Sequence, residues 1–346
     1  MKRISLLEVF PLRKYKKMSV GKVEGMSKSR NTYFDFLRGV AIIMVIAIHT
    51  YHKADDSVAF RQILNAAVPL FIAISGFFLS KKQIEQKTQY VQFLKRQIPK
   101  VYIPTIVCSL PLFAASVKSG ENVLSNVISL FICGFSIYYF IAFIIQCYII
   151  LPFLKIAEMK WHRGGKILSC LISIIWIGLY VLYRENGGMP LPTIAYAGPL
   201  PCWIGFFTLG IALGMSPKRD YNLSWPLTLL LIGIVMSILT SNYFHVGDGQ
   251  KPSSFVYSIG LVLMLFNARV EGVIKSNNIL YRSVLWIGEI SFAVYLMHMY
   301  IVRFVLLHIA ITNWFFRALF VLVVTTAIIF ILKRILPSRV HKYIGL

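Results

Sequence analysis

Acidic side chains are scarce in this chain. Thirteen Asp and Glu stand against 36 Lys and Arg, and charged residues of all kinds make up only 14% of its 346 residues. So little charge cannot keep an ordinary soluble domain in water, which sets the soluble enzyme classes aside. Cysteine is also sparse. Cys108, Cys133, Cys147, Cys170 and Cys202 are scattered through apolar stretches with no CxxC or metal-ligand spacing. They read as small buried hydrophobes, not as a disulfide framework. There is no glycine-rich dinucleotide loop after a strand, no Walker loop, no HExxH and no GxSxG elbow. His162, His245, His308 and His341 stand alone, so no metal is expected. The first thirty residues are basic but lack a continuous apolar core, which argues against a cleavable signal peptide. Residues 1–33 are expected to form a basic cytoplasmic arm, within which Ile4 to Leu12 suits the membrane surface. No internal repeat or low-complexity segment stands out, and no soluble domain is expected at either end.

What is present is apolar length. Hydrophobic residues make up 57% of the chain, and the net charge is +23. In a soluble protein that charge would suggest nucleic acid. Here the gathering of Lys and Arg in cytoplasmic loops explains it better, and no nucleic-acid partner is expected. About 20 apolar residues cross a bilayer as a helix. Ten runs qualify: 34–51, 63–80, 101–117, 137–154, 166–183, 200–215, 225–242, 254–268, 285–306 and 314–332. With the N-terminus inside, the inner segments and Lys166 at the membrane edge carry 28 of the 36 Lys and Arg. The expected fold is therefore all-α: a polytopic membrane protein of about ten transmembrane helices with both termini cytoplasmic and the lipid bilayer as its partner. The run 123–135 is too short to cross and reads as re-entrant or interfacial; an eleventh crossing there would put later basic segments on the wrong side.

The chemistry-bearing residues lie inside these runs. FDFLRGVAIIMVIAIHTYH, Phe34 to His52, holds an acid, an arginine and a histidine in a stretch of spanning length. Such residues in a membrane segment need a partner or a task. Arg38 and His49 are eleven residues apart, which returns them to nearly the same helix face about 16 Å apart along the axis. Asp35, one turn before Arg38, is in reach for an ion pair. Two readings stand for this stripe: a snorkelling arginine with a core histidine, or a shared functional face. The ninth run, WIGEISFAVYLMHMY, places His298 at a depth comparable with His49, with Tyr295 one turn before it and Glu289 near the inner end on the opposite side. Ser75-Gly76 in the second run offers a small surface to a helix or a ligand. Lys95, Arg96 and Lys100 put three cations at the inner surface, in a segment read as a loop and suited to phosphates or to the ordinary positive-inside signal. Tyr138-Tyr139-Phe140 opens the fourth run as an aromatic belt or part of a site.

In order along the chain, these segments resemble one family. FDFLRGVAIIMVIAIH resembles the arginine, ten residues, histidine signature of the transmembrane acyltransferase 3 family. VPLFIAISGFFL resembles its second-helix motif, FLKRQIPKVYIP its basic loop, YYFIAFIIQCYIILP its fourth-helix segment and ISFAVYLMH its late tyrosine, leucine, any residue, histidine motif. Two departures are visible: Tyr139 stands where a tryptophan is usual, and Arg96 and Lys100 flank Pro99 where two arginines often pair.

The resemblance implies a transmembrane acyltransferase domain over 34–335, with a short basic tail at 336–346. It implies transfer of an acyl group, usually acetyl from cytoplasmic acetyl-CoA, to a hydroxyl of a surface polysaccharide or its lipid-linked sugar precursor, in the inner membrane of a bacterium. In that reading His49 is the general base or acyl-handling residue. Arg38, held by Asp35, contacts the CoA portion or neutralises developing charge. Lys95, Arg96 and Lys100 recruit CoA phosphates. Ser75, Tyr139, Glu289, Tyr295 and His298 line the acceptor side. A transporter or flippase of an envelope glycan intermediate is the second reading, because intramembrane Arg, His and Glu also serve proton-coupled carriers.

Overall fold

The computed structural model describes residues 31–346 apart from 52–62, 85, 162 and 244–250. The expectations for residues 1–30 lie outside the described residues. The regular structure among the described residues is all helix, with no strand. The helices are α1 Thr32–Thr50, α2 Ala67–Ser80, α3 Lys87–Lys118, α4 Val123–Phe131, α5 Tyr139–Trp161, α6 Arg163–Glu185, α7 Ile204–Met215, α8 Ser224–Tyr243, α9 Pro252–Phe266, α10 Ala268–Ile274, α11 Ile279–Glu289, α12 Ser291–Tyr300, α13 Trp314–Ile335 and α14 Ser338–Ile344.

Six spans among the described residues are long and apolar enough to cross a membrane: α1, α3, α5, α6 from Gly164, Ser291–His308 and α13. The pair α9 and α10, bent by 73° at Asn267, makes a seventh if it counts as one broken span. The remaining expected runs form shorter apolar helices at Ala67–Ser80, Ile204–Met215 and Ser224–Thr240. Every expected run thus coincides with an apolar helix, and by length and composition alone six of the described spans, or seven with the bent pair, reach crossing length.

Two local expectations change, and a third segment gains detail. Residues 93–100 are not a loop: they lie inside α3, which runs 32 residues through Pro99, Pro104 and Pro111. Within this helix Thr105 donates its hydroxyl to the Val101 carbonyl at 2.7 Å and Ser109 to that of Thr105 at 2.7 Å. The segment 123–135 contains the nine-residue α4, with Leu124, Ile128 and Phe131 exposed. The ninth run is not one helix either, because the chain breaks at Ile290 between α11 and α12.

That break sits where α1 presses against α11. A Cβ at Gly288 would collide with the Asp35 carbonyl, and one at Gly39 with the Val284 carbonyl. Two small residues therefore let the helix backbones touch, as in close-packed membrane helices. The pairing of α2 with α7 works likewise, since a Cβ at Gly210 would meet the Ala73 carbonyl. Around the start of α1, Phe34 stacks on Phe77 with centroids 4.3 Å apart and meets Phe266 edge-on at 5.1 Å. Gly288→Ala should overpack the α1–α11 contact by about 1–3 kcal/mol. A thermal shift assay in detergent should show a lowered Tm, whereas Gly272→Ala, where an added Cβ meets nothing within 4 Å, should leave it unchanged. Equal Tm values for the two variants would show that this contact does not hold the fold.

Candidate active site

Helix α1 begins with Asn31, whose side chain accepts from the Tyr33 N–H at 3.2 Å, and Tyr33 in turn donates to the Leu265 carbonyl at 2.7 Å. Asp35 follows in the first turn, where the helix N-terminus favours a negative charge. Its carboxylate is 3% exposed and takes the Arg38 guanidinium at 2.9 Å. Arg38 also sits over the Phe78 ring, 4.9 Å from its centroid. Carboxylate and ring together set the direction of the guanidinium.

Two cavities meet on α1. The first, of about 280 Å³, is lined by Arg38, Ser75, Phe71, Tyr148 and Tyr295 among others. The second, of about 360 Å³, is lined by Asn65, Trp176, Tyr180, Tyr196, Trp203 and Arg303 among others. His49, Tyr139, Val45, Val68 and Ile137 line both. The half-buried His49 imidazole therefore stands where the two spaces adjoin, and Arg38 opens into the first of them. The His298 ring lies 5.6 Å from that of His49, centroid to centroid, tilted by 40°. His298 is fully buried, and its Nδ1 lies 2.9 Å from the Val294 carbonyl. That contact assigns the ring proton to Nδ1 and leaves a lone pair on Nε2, which has no hydrogen-bond partner among the described residues.

The wall of the second cavity is fixed from outside. Trp176 donates its indole N–H to the Tyr196 carbonyl at 2.8 Å, and Trp203 donates to that of Ala197 at 2.7 Å. Gln146 donates to the Gly198 carbonyl at 2.8 Å and accepts from the Leu200 N–H at 3.1 Å. A connection rich in proline and glycine is thereby tied to α5 and α6. In the first cavity Tyr295 donates to the Ile137 carbonyl at 2.5 Å, and alongside it Tyr138 donates to that of Leu296 at 2.7 Å. These bonds hold α12 to the start of α5.

The structure thus gathers Arg38, His49, Ser75, Tyr139 and Tyr295 along the two cavities, with Asp35 behind Arg38 and His298 beside His49. Ser75 turns its hydroxyl to the Phe71 carbonyl at 2.9 Å. Lys95, Arg96 and Lys100 are exposed on α3, and Glu289 is exposed at the end of α11; none of the four lines either cavity. A different cation lies near Arg38. Lys81 sits 4.1 Å from the Phe77 centroid and 5.9 Å from that of Phe78, beside the Arg219–Glu271 pair. Partial burial first, and then the Arg219 charge, lowers the pKa of its ammonium from the ordinary lysine value. Sequence reasoning missed Trp176, Tyr180, Tyr196, Trp203 and Arg303. Trp176 and Tyr180 carried a signal, since i and i+4 share a helix face, and Arg303 was an unexplained cation in an apolar run.

No curated protein and no solved structure gives a match to this chain. The acyltransferase domain family matches residues 31–334. The matched region takes in α1, both cavities and the two facing histidines. The chain is a multi-pass membrane protein, and it belongs to the acyltransferase 3 family of membrane acyltransferases.

Proposed function

We propose that the chain moves an acetyl group from cytoplasmic acetyl-CoA to a hydroxyl of a cell-surface polysaccharide or its lipid-linked sugar precursor. The observation that carries this reading is the position of His49, a single imidazole lining both cavities. Basic residues gathered on one side orient the Arg38 end towards the cytoplasm. The first cavity then takes the thioester and the second the sugar. An imidazole titrates near neutral pH and is suited to proton transfer between them.

His49 takes the proton from the sugar hydroxyl as its oxygen attacks the thioester carbonyl. The new C–O bond forms, the C–S bond breaks, and the proton passes from His49 to the departing thiolate. The products are an O-acetyl sugar and free CoA. Arg38, steadied by Asp35, supplies positive charge to the CoA portion or to the developing oxyanion. His298 has its Nδ1 proton committed to the Val294 carbonyl, so its Nε2 lone pair faces outward from its own helix as an acceptor that can orient His49. Lys81 adds a cation near the donor side. Lys95, Arg96 and Lys100, exposed on α3, gather CoA at the membrane surface before it enters.

The test follows label from [¹⁴C]acetyl-CoA into glycan in membranes holding equal amounts of inserted protein. His49→Ala should lower transfer by about 10²–10⁴-fold, and near wild-type transfer would overturn the assignment. Glycan crossing the membrane without acquiring label would favour a carrier. Arg38→Gln should raise the KM for acetyl-CoA about tenfold by removing a charge-assisted contact, with Arg38→Lys intermediate because it keeps the charge but loses the planar fork. If the KM for acetyl-CoA is the same in all three proteins, Arg38 does not meet the donor.

A further inference from the structure

The second cavity has a chemical character that acyl transfer alone does not require. Its wall is aromatic. Tyr180 and Tyr196 stack with centroids 4.2 Å apart and planes within 4°, and Trp176 and Trp203 flank them. Both indole N–H groups are spent on backbone carbonyls, so these two rings offer the cavity apolar surface and not donors. Asn65, Ser136 and Thr193 place polar atoms around the same space. Flat aromatic surface beside dispersed polar groups suits a sugar ring, which has apolar C–H faces and an equator of hydroxyls.

Arg303 adds a positive charge. It lies in a five-residue π-helical stretch, Ile301–Val305, that interrupts the span after α12. Such insertions are frequent at functional sites, and they shift the direction of the side chains they carry. Arg303 reaches the second cavity from this stretch, and Met299 reaches it from the end of α12. Among the described residues no carboxylate pairs with Arg303, whereas Asp35 takes Arg38 and Glu271 takes Arg219. Arg303 is exposed near the end of its span, and it also lines the cavity that contains His49.

We infer that the second cavity selects an acidic saccharide, with Arg303 as the counter-charge to a carboxylate or phosphate on the acceptor and the Tyr180–Tyr196 pair as the platform for its ring. This inference rests on the acyl-transfer reading in that His49 faces the bound sugar. Arg303 is a specificity-determining residue, because it meets the acceptor away from the reacting hydroxyl.

The protein, intact in nanodiscs, is titrated with trigalacturonic acid, neutral galactotriose and galactose 1-phosphate. The change in tryptophan fluorescence, to which Trp176 and Trp203 in the cavity wall contribute, reports binding, and [¹⁴C]acetyl transfer is followed in parallel. The wild type should bind at least one anionic probe about tenfold or more tightly than the neutral one, with the preference shrinking as salt rises. Arg303→Gln should abolish the preference and Arg303→Lys should keep part of it. Tighter binding of trigalacturonic acid assigns the charge to a sugar carboxylate, and tighter binding of galactose 1-phosphate assigns it to a phosphate. Equal affinity for charged and neutral probes, a preference that survives in Arg303→Gln, or no saturable binding of either anion overturns the inference. Label passing to glycan through His49 with acceptor preference unchanged in Arg303→Gln leaves acyl transfer standing and removes this inference. Arg303-dependent binding of an anionic probe without label transfer supports the inference and removes the acyl-transfer reading.

Discussion

A carboxylate shut away from solvent in the first turn of a membrane helix is the constraint on which the site depends. Asp35 has 3% of its side chain exposed, and a buried charge of that kind is tolerated only when paired and hydrogen-bonded. Its partner, Arg38, is one turn further on, so the pair lies within α1, and the Phe78 ring of α2 completes the setting of the guanidinium. Neighbouring elements then converge on the same turn. Gly288 of α11 packs on the Asp35 carbonyl, Tyr33 ties α1 to the end of α9, and Phe34 stacks between Phe77 and Phe266. With its first turn clamped, α1 can hold His49 at a set distance from Arg38 by helical rise alone, about 16 Å along the axis.

That distance explains why two cavities adjoin instead of one. A CoA thioester and a sugar hydroxyl differ in charge, size and the side of the membrane from which they arrive under the proposed reaction. One site holding both would have to open to both aqueous faces, and water would compete with the sugar for the thioester. Separate chambers sharing His49, Tyr139 and three aliphatic or small apolar neighbours let each ligand bury its own surface and meet the other only at the imidazole. Excluding water also strengthens every charge interaction inside. Arg38 lines the first chamber alone and Arg303 the second alone, so under the proposed reaction the two guanidinium groups would meet different ligands.

Much of α1 was legible in the sequence because its contacts are local. An ion pair at i, i+3 and a face shared at i, i+11 follow from helix periodicity, and His298 could be matched to His49 by depth. The distant parts were not. The aromatic wall depends on a connection between α6 and α7 that has no periodic pattern. Its position is set by Gln146, Trp176 and Trp203, which bind carbonyls and an N–H up to 54 residues away. Lys95, Arg96 and Lys100, around Pro99, read in the sequence as a basic loop suited to phosphates. Inside α3 the helix continues through that proline, and the three cations face solvent instead of the cavity. The break at Ile290 was equally hidden, since WIGEISFAVYLMHMY contains no proline, and its only glycine acts through the approach of α1.

The irregular backbone marks the site without reference to any motif. Within a bilayer, departures from helix are tolerated only where the chain is buried in protein or lines a cavity, because lipid cannot satisfy a freed N–H or C=O. Ser136 has a positive φ of 53° and lines the second cavity, and Cys133, at 58°, lies just before it. The break at Ile290 is followed at once by Ser291, a lining residue of the first cavity. The π-helical stretch Ile301–Val305 carries Arg303 into the second. Non-glycine residues adopt positive φ uncommonly and at an energetic cost, so a chain that kept regular helices throughout would be the cheaper fold. These departures border the spaces on either side of His49, whereas the 73° bend at Asn267 lines neither of them and joins α9 to α10 away from the cavities.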